Sequence, residues 1–339
     1  MVTIYDIAKY CGVSPATVSK TINNYSSVSK ETKKRISEAM VTLNYIPNSS
    51  AKSLSKGVSH NIGVLTFFGL DISPFRHPLF GDILDSFQKE MCDNGYDLLF
   101  ISRNVAGRHE SFLKNIISRN VDGVILFGDL AHPEMQEIIS STIPCVGFDY
   151  YGGDMPSVVS NNYQAMFHLS EHLIFHGHKN IVFVHGEKNE VTNLRIKAFK
   201  DTLVKHNIKF MPHMLYETLF ADKDRIERIT RDIVSRNNIP TAIMYPDDFC
   251  AIQGTKVLKS LGFRVPEDIS VTGFDGIELT QLVTPTITTF KQDTVKIGKL
   301  LAQNLIQAME NKIPMNNTNE VMGELLIGQS TADAYNKID

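Results

Sequence analysis

The chain has 339 residues, 42% hydrophobic and 21% charged, which suits two or three globular domains and excludes a disordered or fibrous protein. No apolar run reaches the 18 or so residues needed to cross a bilayer, and the first ten residues lack a secretory pattern, so a cytoplasmic protein with no membrane partner is expected. The net charge of −3 conceals an asymmetry: residues 1–59 hold eight Lys and Arg against three Asp and Glu, and the remainder holds 26 against 34, so a polyanion would suit the head and not the body.

Apolar residues recur at helical spacing over Ile4–Tyr10, and Gly12 supplies a left-handed stop. Ser14 fits an N-cap and Pro15 a first helical position, for a second helix running through Val18 to about Asn23. Two short helices around a glycine turn read as a helix-turn-helix, with Ala8 small at the crossing and Val13, Val18 and Ile22 filling it. Ser29 caps a third helix, Glu31 complements its N-terminus, and Ile36, Ala39, Met40 and Leu43 form its apolar stripe. A generic three-helix bundle is the competing reading. Against it, Ser14, Ala16, Thr17, Ser19 and Lys20 could lie in a major groove without steric conflict. The stretch Asn48–Gly57 is polar except for Leu54 and too short to hold a helix alone in water. It reads as a linker, or as a segment that orders on DNA and wedges Leu54 into the minor groove.

From Ile62 onward, apolar runs alternate with helical patterns. Expected strands are Ile62–Thr66, Asp97–Ile101, Gly123–Phe127, Cys145–Phe148, Ile181–His185, Thr241–Tyr245 and Ile269–Gly273. Helical patterns include Phe80–Asn94, Tyr163–His176, Asn193–His206, Phe249–Leu261 and Thr294–Glu310. This alternation indicates doubly wound parallel α/β sheets, too many strands for one unit and therefore two lobes. No phosphate loop and no GxSxG elbow occur, so neither enzyme chemistry nor a cofactor is implied. Cys11, Cys92, Cys145 and Cys250 are far apart and read as reduced thiols. His172, His176, His178 and His185 invite a metal reading, but no HExxH motif or nearby cysteine accompanies them, and helix-end and turn histidines explain them more simply. Asp247 and Asp248 invite a catalytic pair; adjacent residues after a strand point apart, and Asp248 is expected to cap the following helix.

The run Thr3–Ala8, then Gly12-Val13-Ser14, Thr17–Lys20, Val28-Ser29, Leu43–Asn48 and Ala51–Leu54, resembles the opening of the LacI/GalR family of bacterial transcriptional regulators. His77–Phe80, Arg195 with Phe199, Val265–Ser270, Gly273–Gly276, Pro285 and Thr288–Gln292 extend the resemblance over essentially the whole chain. It implies a helix-turn-helix headpiece (1–46), a hinge helix and linker (47–59), and an effector-binding and dimerisation core (60–339) similar to periplasmic sugar-binding proteins. Lobe one would take about 60–159 and 291–323, and lobe two about 160–290 and 324–339. Crossovers would fall near Val159–Asn161, Thr289–Lys291 and Gly323–Leu325.

By the same resemblance, DNA contacts are expected from Thr3, Tyr5, Ser14, Pro15, Ala16, Thr17, Ser19, Lys20, Asn23, Ser29, Thr32, Tyr45, Asn48, Ala51 and Leu54. Pro15 and Ala16 depart from the larger polar residues often found there, which leaves Lys20 as the long-reach base contact. Effector contacts are expected from Leu79 and Phe80 as an apolar wall, Arg195 forking to vicinal oxygens, Asp275 accepting from hydroxyls, and Asp149, Phe220, Asp247 and Gln292. The expected function is a repressor of carbohydrate use that binds a near-palindromic operator as a homodimer and answers to a sugar or sugar phosphate. A protein co-repressor is the alternative signal. A sugar-transport protein is the more distant rival, opposed by the basic head. The tail after Leu326-Ile327 is too short and polar for a tetramerising heptad repeat.

Overall fold

The fold comes from a computed structural model that describes residues 2–46, 58–67, 77–102, 104–105, 108–220 and 222–334. Three helices open the chain: α1 (Ile4–Cys11), α2 (Pro15–Ile22) and α3 (Lys30–Thr42). Each begins where a short hydroxyl side chain accepts an otherwise orphaned amide: Thr3 from Asp6, Ser14 from Thr17, and Ser29 from Thr32. Gly12 stops α1 at φ 61°, a torsion that glycine adopts without a Cβ penalty. Ile7, Ala8, Cys11, Val18, Ile36 and Ala39 are buried between the helices, with Val13, Ile22, Met40, Leu43 and Tyr45 packed around them. The expected hinge contacts Asn48, Ala51 and Leu54 lie outside the described residues.

The first stretch of the core contains β1 (Asn61–Phe67), α4 (Pro78–Asp93), β2 (Asp97–Phe100), β3 (Asn104–Val105), β4 (Arg108–His109), α5 (Phe112–Ser118), β5 (Gly123–Gly128), α6 (Pro133–Ile139), β6 (Cys145–Phe148) and β7 (Ser157–Ser160). The second contains α7 (Asn162–Phe175), β8 (Ile181–His185), α8 (Glu190–Lys205), β9 (Leu215–Glu217), α9 (Lys223–Val234), β10 (Ala242–Met244), α10 (Asp248–Ser260), β11 (Ser270–Thr272) and α11 (Leu279–Leu282). The chain closes with β12 (Thr289–Lys291), α12 (Thr294–Met309), β13 (Thr318–Val321) and β14 (Glu324–Leu326).

Lobe one is a six-stranded parallel sheet in the order β13-β7-β6-β5-β1-β2, and lobe two a four-stranded parallel sheet in the order β11-β10-β8-β9. Central strands such as Gly123–Gly128 and Ile181–His185 are buried almost throughout, as helices on both faces require. The chain passes between the lobes after β7, through β12, and between β13 and β14; β12 and β14 pair antiparallel. Strands β7, β9 and β13 are additional to the seven expected from apolar runs. β9 and β13 are short sheet-edge strands with polar residues, and β7 carries serine at both ends. Among the described residues no helix is long and apolar enough to cross a membrane.

α12 returns to lobe one and buries Ile297, Leu301, Ala302 and Leu305 in the same core as Ile83 and Phe87 of α4. The two helices meet at Gly298, where an added Cβ would stand 2.4 Å from the Ile83 carbonyl oxygen and 2.8 Å from the Phe87 nitrogen. The obstructing atoms are backbone, so they cannot rotate away. Gly298→Val should therefore destabilise lobe one by about 2 kcal/mol or more, read as a lower urea midpoint. An unchanged midpoint would refute the close crossing.

Candidate functional site

The carboxyl ends of strands from both lobes bring charged side chains together, as ligand sites in open α/β sheets require. Asp149 follows β6 with φ 50°, and Asp275 follows β11 with φ 105°. Such torsions cost a non-glycine residue on the order of 1–3 kcal/mol, so the surroundings must hold both in place. Asp149 Oδ1 accepts the Ser160 amide at 2.9 Å. Asp275 Oδ1 accepts Gln292 Nε2 at 2.7 Å, and the Asp275 and Gln292 backbones also bond, with the Gln292 amide donating to the Asp275 carbonyl at 3.1 Å. The Ser160 hydroxyl donates to Gln292 Oε1. His77, at the N-cap of α4, places Nε2 3.6 Å from Asp275 Oδ2, and its ring meets Phe249 of α10 at 5.3 Å. A continuous polar chain thus runs from Asp149 in lobe one, through two crossovers, to Asp275 in lobe two and back to His77 in lobe one.

Arg195 projects from α8 into this cluster and is only 5% exposed, so it is no surface charge. Its Nε donates to Asn162 Oδ1 at 2.9 Å and its Nη1 to the Pro246 carbonyl at 3.0 Å. The guanidinium lies 3.5 Å over the Phe274 ring. Burial works against its charge, while Asp275 and Asp149 support it. Burial in turn pushes Asp149 up to about 6, against the Ser160 amide and Arg195, and Asp275 up to about 6, against His77 and Arg195.

One expectation needs correction. Asp247, not Asp248, caps α10: it is extended (φ −150°, ψ 171°) and its Oδ1 accepts the Cys250 amide at 2.7 Å. Asp248 is already helical, and its carboxylate turns inward to accept the Ile277 amide at 2.8 Å and the Thr289 hydroxyl at 2.6 Å. The apolar wall also differs. Leu79 is buried in the lobe-one core, while Phe80 sits among Phe127, Phe148 and His77 at ring distances of 6.0, 6.4 and 5.7 Å. Phe220 lies over Gly186, just past the end of β8. Ser160, Asn162, His77, Phe249 and Phe274 join the cluster without having been expected as effector contacts. His77 and Phe274 lay in recognisable motifs, His77–Phe80 and Gly273–Gly276. Two surface hollows, of about 400 and 570 Å³, lie elsewhere, one beside α7 and β14 and one beside β9 and α9.

In the headpiece, Tyr5, Ala16 and Lys20 are exposed. Thr3, Ser14 and Ser29 are exposed but engaged as caps, Ser14 with Thr17 and Ser29 with Thr32 also through their hydroxyls at 2.9 Å. Pro15, Ser19 and Asn23 are half-buried, the Asn23 amide donating to the Ser19 carbonyl. Tyr45 packs on the headpiece core. His172, His176 and His178 bond to Thr331, Asp333 and the Ala332 carbonyl, fastening the C-terminal strap to lobe two. Among the described residues no group of three metal ligands occurs.

A helix-turn-helix ahead of a two-lobed α/β core defines a DNA-binding transcription regulator of the kind that couples a DNA reader to a sensing domain. Residues 3–48 match the model of the bacterial regulatory proteins of the lacI family, and residues 170–331 match a periplasmic binding protein-like domain. The transcriptional repressor PurR of Mannheimia succiniciproducens is 27% identical over 97% of this chain and 98% of its own length; that of Haemophilus influenzae is 28% identical over 92% of each. The fold matches the lac repressor dimer bound to operator and an anti-inducer (TM-score 0.83, 24% identity, 98% and 99% of the two chains) and a CelR–cellobiose complex (TM-score 0.72, 20% identity, 97% and 100%). Residues 3–48 thus carry a DNA-binding domain of the lacI type and residues 170–331 a periplasmic binding protein-like domain, and these relatives are transcription factors, not enzymes.

The raised carboxyls give a pH signature. Both are protonated more readily in the fold than at their ordinary value of 3.8, so their contribution to stability is fully present below that value and is lost as pH rises through about 6. Relative to Asp149→Asn/Asp275→Asn, the native core should lose stability between about pH 4 and 6, measured by urea unfolding at each pH. A difference that stays flat over this window would show that the two acids are not desolvated as described.

Proposed function

We propose that the protein is a homodimeric repressor that binds a near-palindromic operator through its headpieces and is switched by a small polyhydroxy effector held between the lobes. The observation that carries the effector half is the meeting of Arg195, Asp149 and Asp275 at the lobe boundary. Arg195 has five N–H donors, and the two bonds described leave donors for ligand oxygens. The two acids can accept from hydroxyls, and the face of Phe80 with Phe127 and Phe148 suits the C–H side of a ring. The solved relative that holds cellobiose supports the sugar class.

The expected switch follows from the polar chain. An effector that takes the acids changes what Gln292 and Ser160 bond to, and both stand on crossovers that set the lobe angle. It shifts DNA affinity only to the extent that it binds one lobe arrangement better than the other. The dimer rests on the family and on Leu279 and Leu282 of α11, which are 39% and 73% exposed. A two-fold protein reads a two-fold site. Acting on chromosomal DNA, the protein would work in the cytoplasm.

The test begins with DNA selected from a random pool, where a near-palindrome is expected, followed by gel-shift titration with sugars. Failure of every sugar to alter operator binding would sink the sensing half while leaving the DNA half intact. Arg195→Ala should keep operator binding and lose the sugar response. Lys20→Ala should do the reverse, weakening operator binding by about 1–3 kcal/mol with sugar-induced thermal stabilisation unchanged.

A further inference from the structure

We infer that the cleft selects an uncharged polyhydroxy effector and rejects the same compound carrying a phosphate ester. This rests on the cleft being the effector site, and it narrows the ligand class that the sequence left open between sugars and sugar phosphates.

The charges argue it first. Asp149, Asp247 and Asp275 act on Arg195 by charge; Arg195 in turn supports the ionised form of Asp149, and His77 with Arg195 that of Asp275. Arg195 is already flanked by two of these acids. A phosphate would face their repulsion with one guanidinium in its favour, at a place where burial has already made the existing acids reluctant to ionise. Hydroxyls meet no such opposition: carboxylates accept from them and the guanidinium donates to them.

The helix ends argue it independently. An open helix N-terminus is the usual protein seat for a phosphate. Around this cleft those seats are taken by the protein's own side chains. Asp247 fills the start of α10. Asn161 fills that of α7 by accepting the Gln164 amide at 2.9 Å, and Asn189 fills that of α8 by accepting the Thr192 amide at 2.8 Å, with Glu190 adding a negative charge in the first turn. The start of α4 has no side-chain cap bond, but Pro78 removes an amide there, and Asp275 already stands 3.6 Å from the His77 ring.

The experiment is thermal stabilisation of the full chain, with operator release as second readout, by glucose, galactose, fructose, ribose, maltose and cellobiose and by a phosphate ester of each. At least one parent sugar should bind, and its ester should bind at least about tenfold more weakly. That gap should shrink in Asp247→Asn, which keeps a good cap and removes a carboxylate. A gap set by size alone would not change. An ester that equals or exceeds its parent overturns the charge selection and leaves the cleft as effector site. A complete lack of response to both sets overturns the polyhydroxy reading and this inference with it.

Discussion

The core depends on one buried guanidinium held among carboxyl groups that belong to different lobes. Arg195 is deeply buried, and burying a charge is tolerable only where partners satisfy it. Asn162, Pro246 and the Phe274 face do part of this, and Asp149 and Asp275 do the rest electrostatically. Asp149 comes from lobe one and Asp275 from lobe two, so the compensation that makes Arg195 tolerable also ties the lobes together. Neither acid reaches its place by ordinary backbone geometry. Each sits at positive φ, Asp149 directly past β6 and Asp275 three residues past the end of β11. Strain of this kind persists where surrounding contacts over-determine it, and it clusters at ligand clamps.

From that constraint the crossovers acquire their meaning. A segment joining two lobes needs only length and backbone compatibility, and could be a plain linker. Here Ser160 and Gln292, on two separate crossovers, bond to each other and to the two acids. A change at the acids is therefore a change at the hinges, without an intervening pathway to postulate. Asp248 adds a further brace, joining the start of α10 to β12 through the Thr289 hydroxyl. The second crossover is thus fixed from two sides, by Asp248 before the cleft and by Gln292 within it. Closing or opening the lobes requires these bonds to be exchanged rather than stretched, which favours discrete arrangements over a continuum.

Much of this was legible in the sequence where physics is local. Ser14, Pro15 and Gly12 announce helix boundaries because capping and left-handed torsions are decided within four residues. Gly123–Phe127 and Ile181–His185 announce strands because both their faces are covered. β9 and β13 were silent: edge strands with one polar face carry no continuous apolar run. In the site, Arg195 and Asp275 could be named from their motifs, but Asn162, Ser160 and His77 could not be assigned to the cleft. Their roles arise only when separate segments meet: 33 residues part Asn162 from Arg195, and 132 part Ser160 from Gln292. The neighbours Asp247 and Asp248 show the limit most clearly. Either could cap α10 by composition. The choice falls to Asp247 because the chain is still extended there and helical one residue later, a distinction of torsion that residue type does not encode.

The headpiece follows a different logic, and the contrast bears on how the two parts cooperate. Its core is six small or medium buried side chains and a rim of half-buried ones, so much of its order comes from caps rather than burial. The caps consume the hydroxyls of Thr3, Ser14 and Ser29, which are among the residues expected to meet DNA. A hydroxyl already bonded to its own helix is a fixed, short group, suited to setting how closely a backbone approaches. Discrimination among bases then falls to side chains that extend beyond the caps. Ala16 is exposed but too short to reach far, and Pro15 has no amide to offer. Lys20 is left as the long exposed group on the second helix, a point charge on a flexible stem. Such a reader gains affinity from phosphates more readily than specificity from one base. In the homodimer proposed above, sequence preference would come from two such readers held at a fixed spacing, the quantity that the proposed lobe movement would alter.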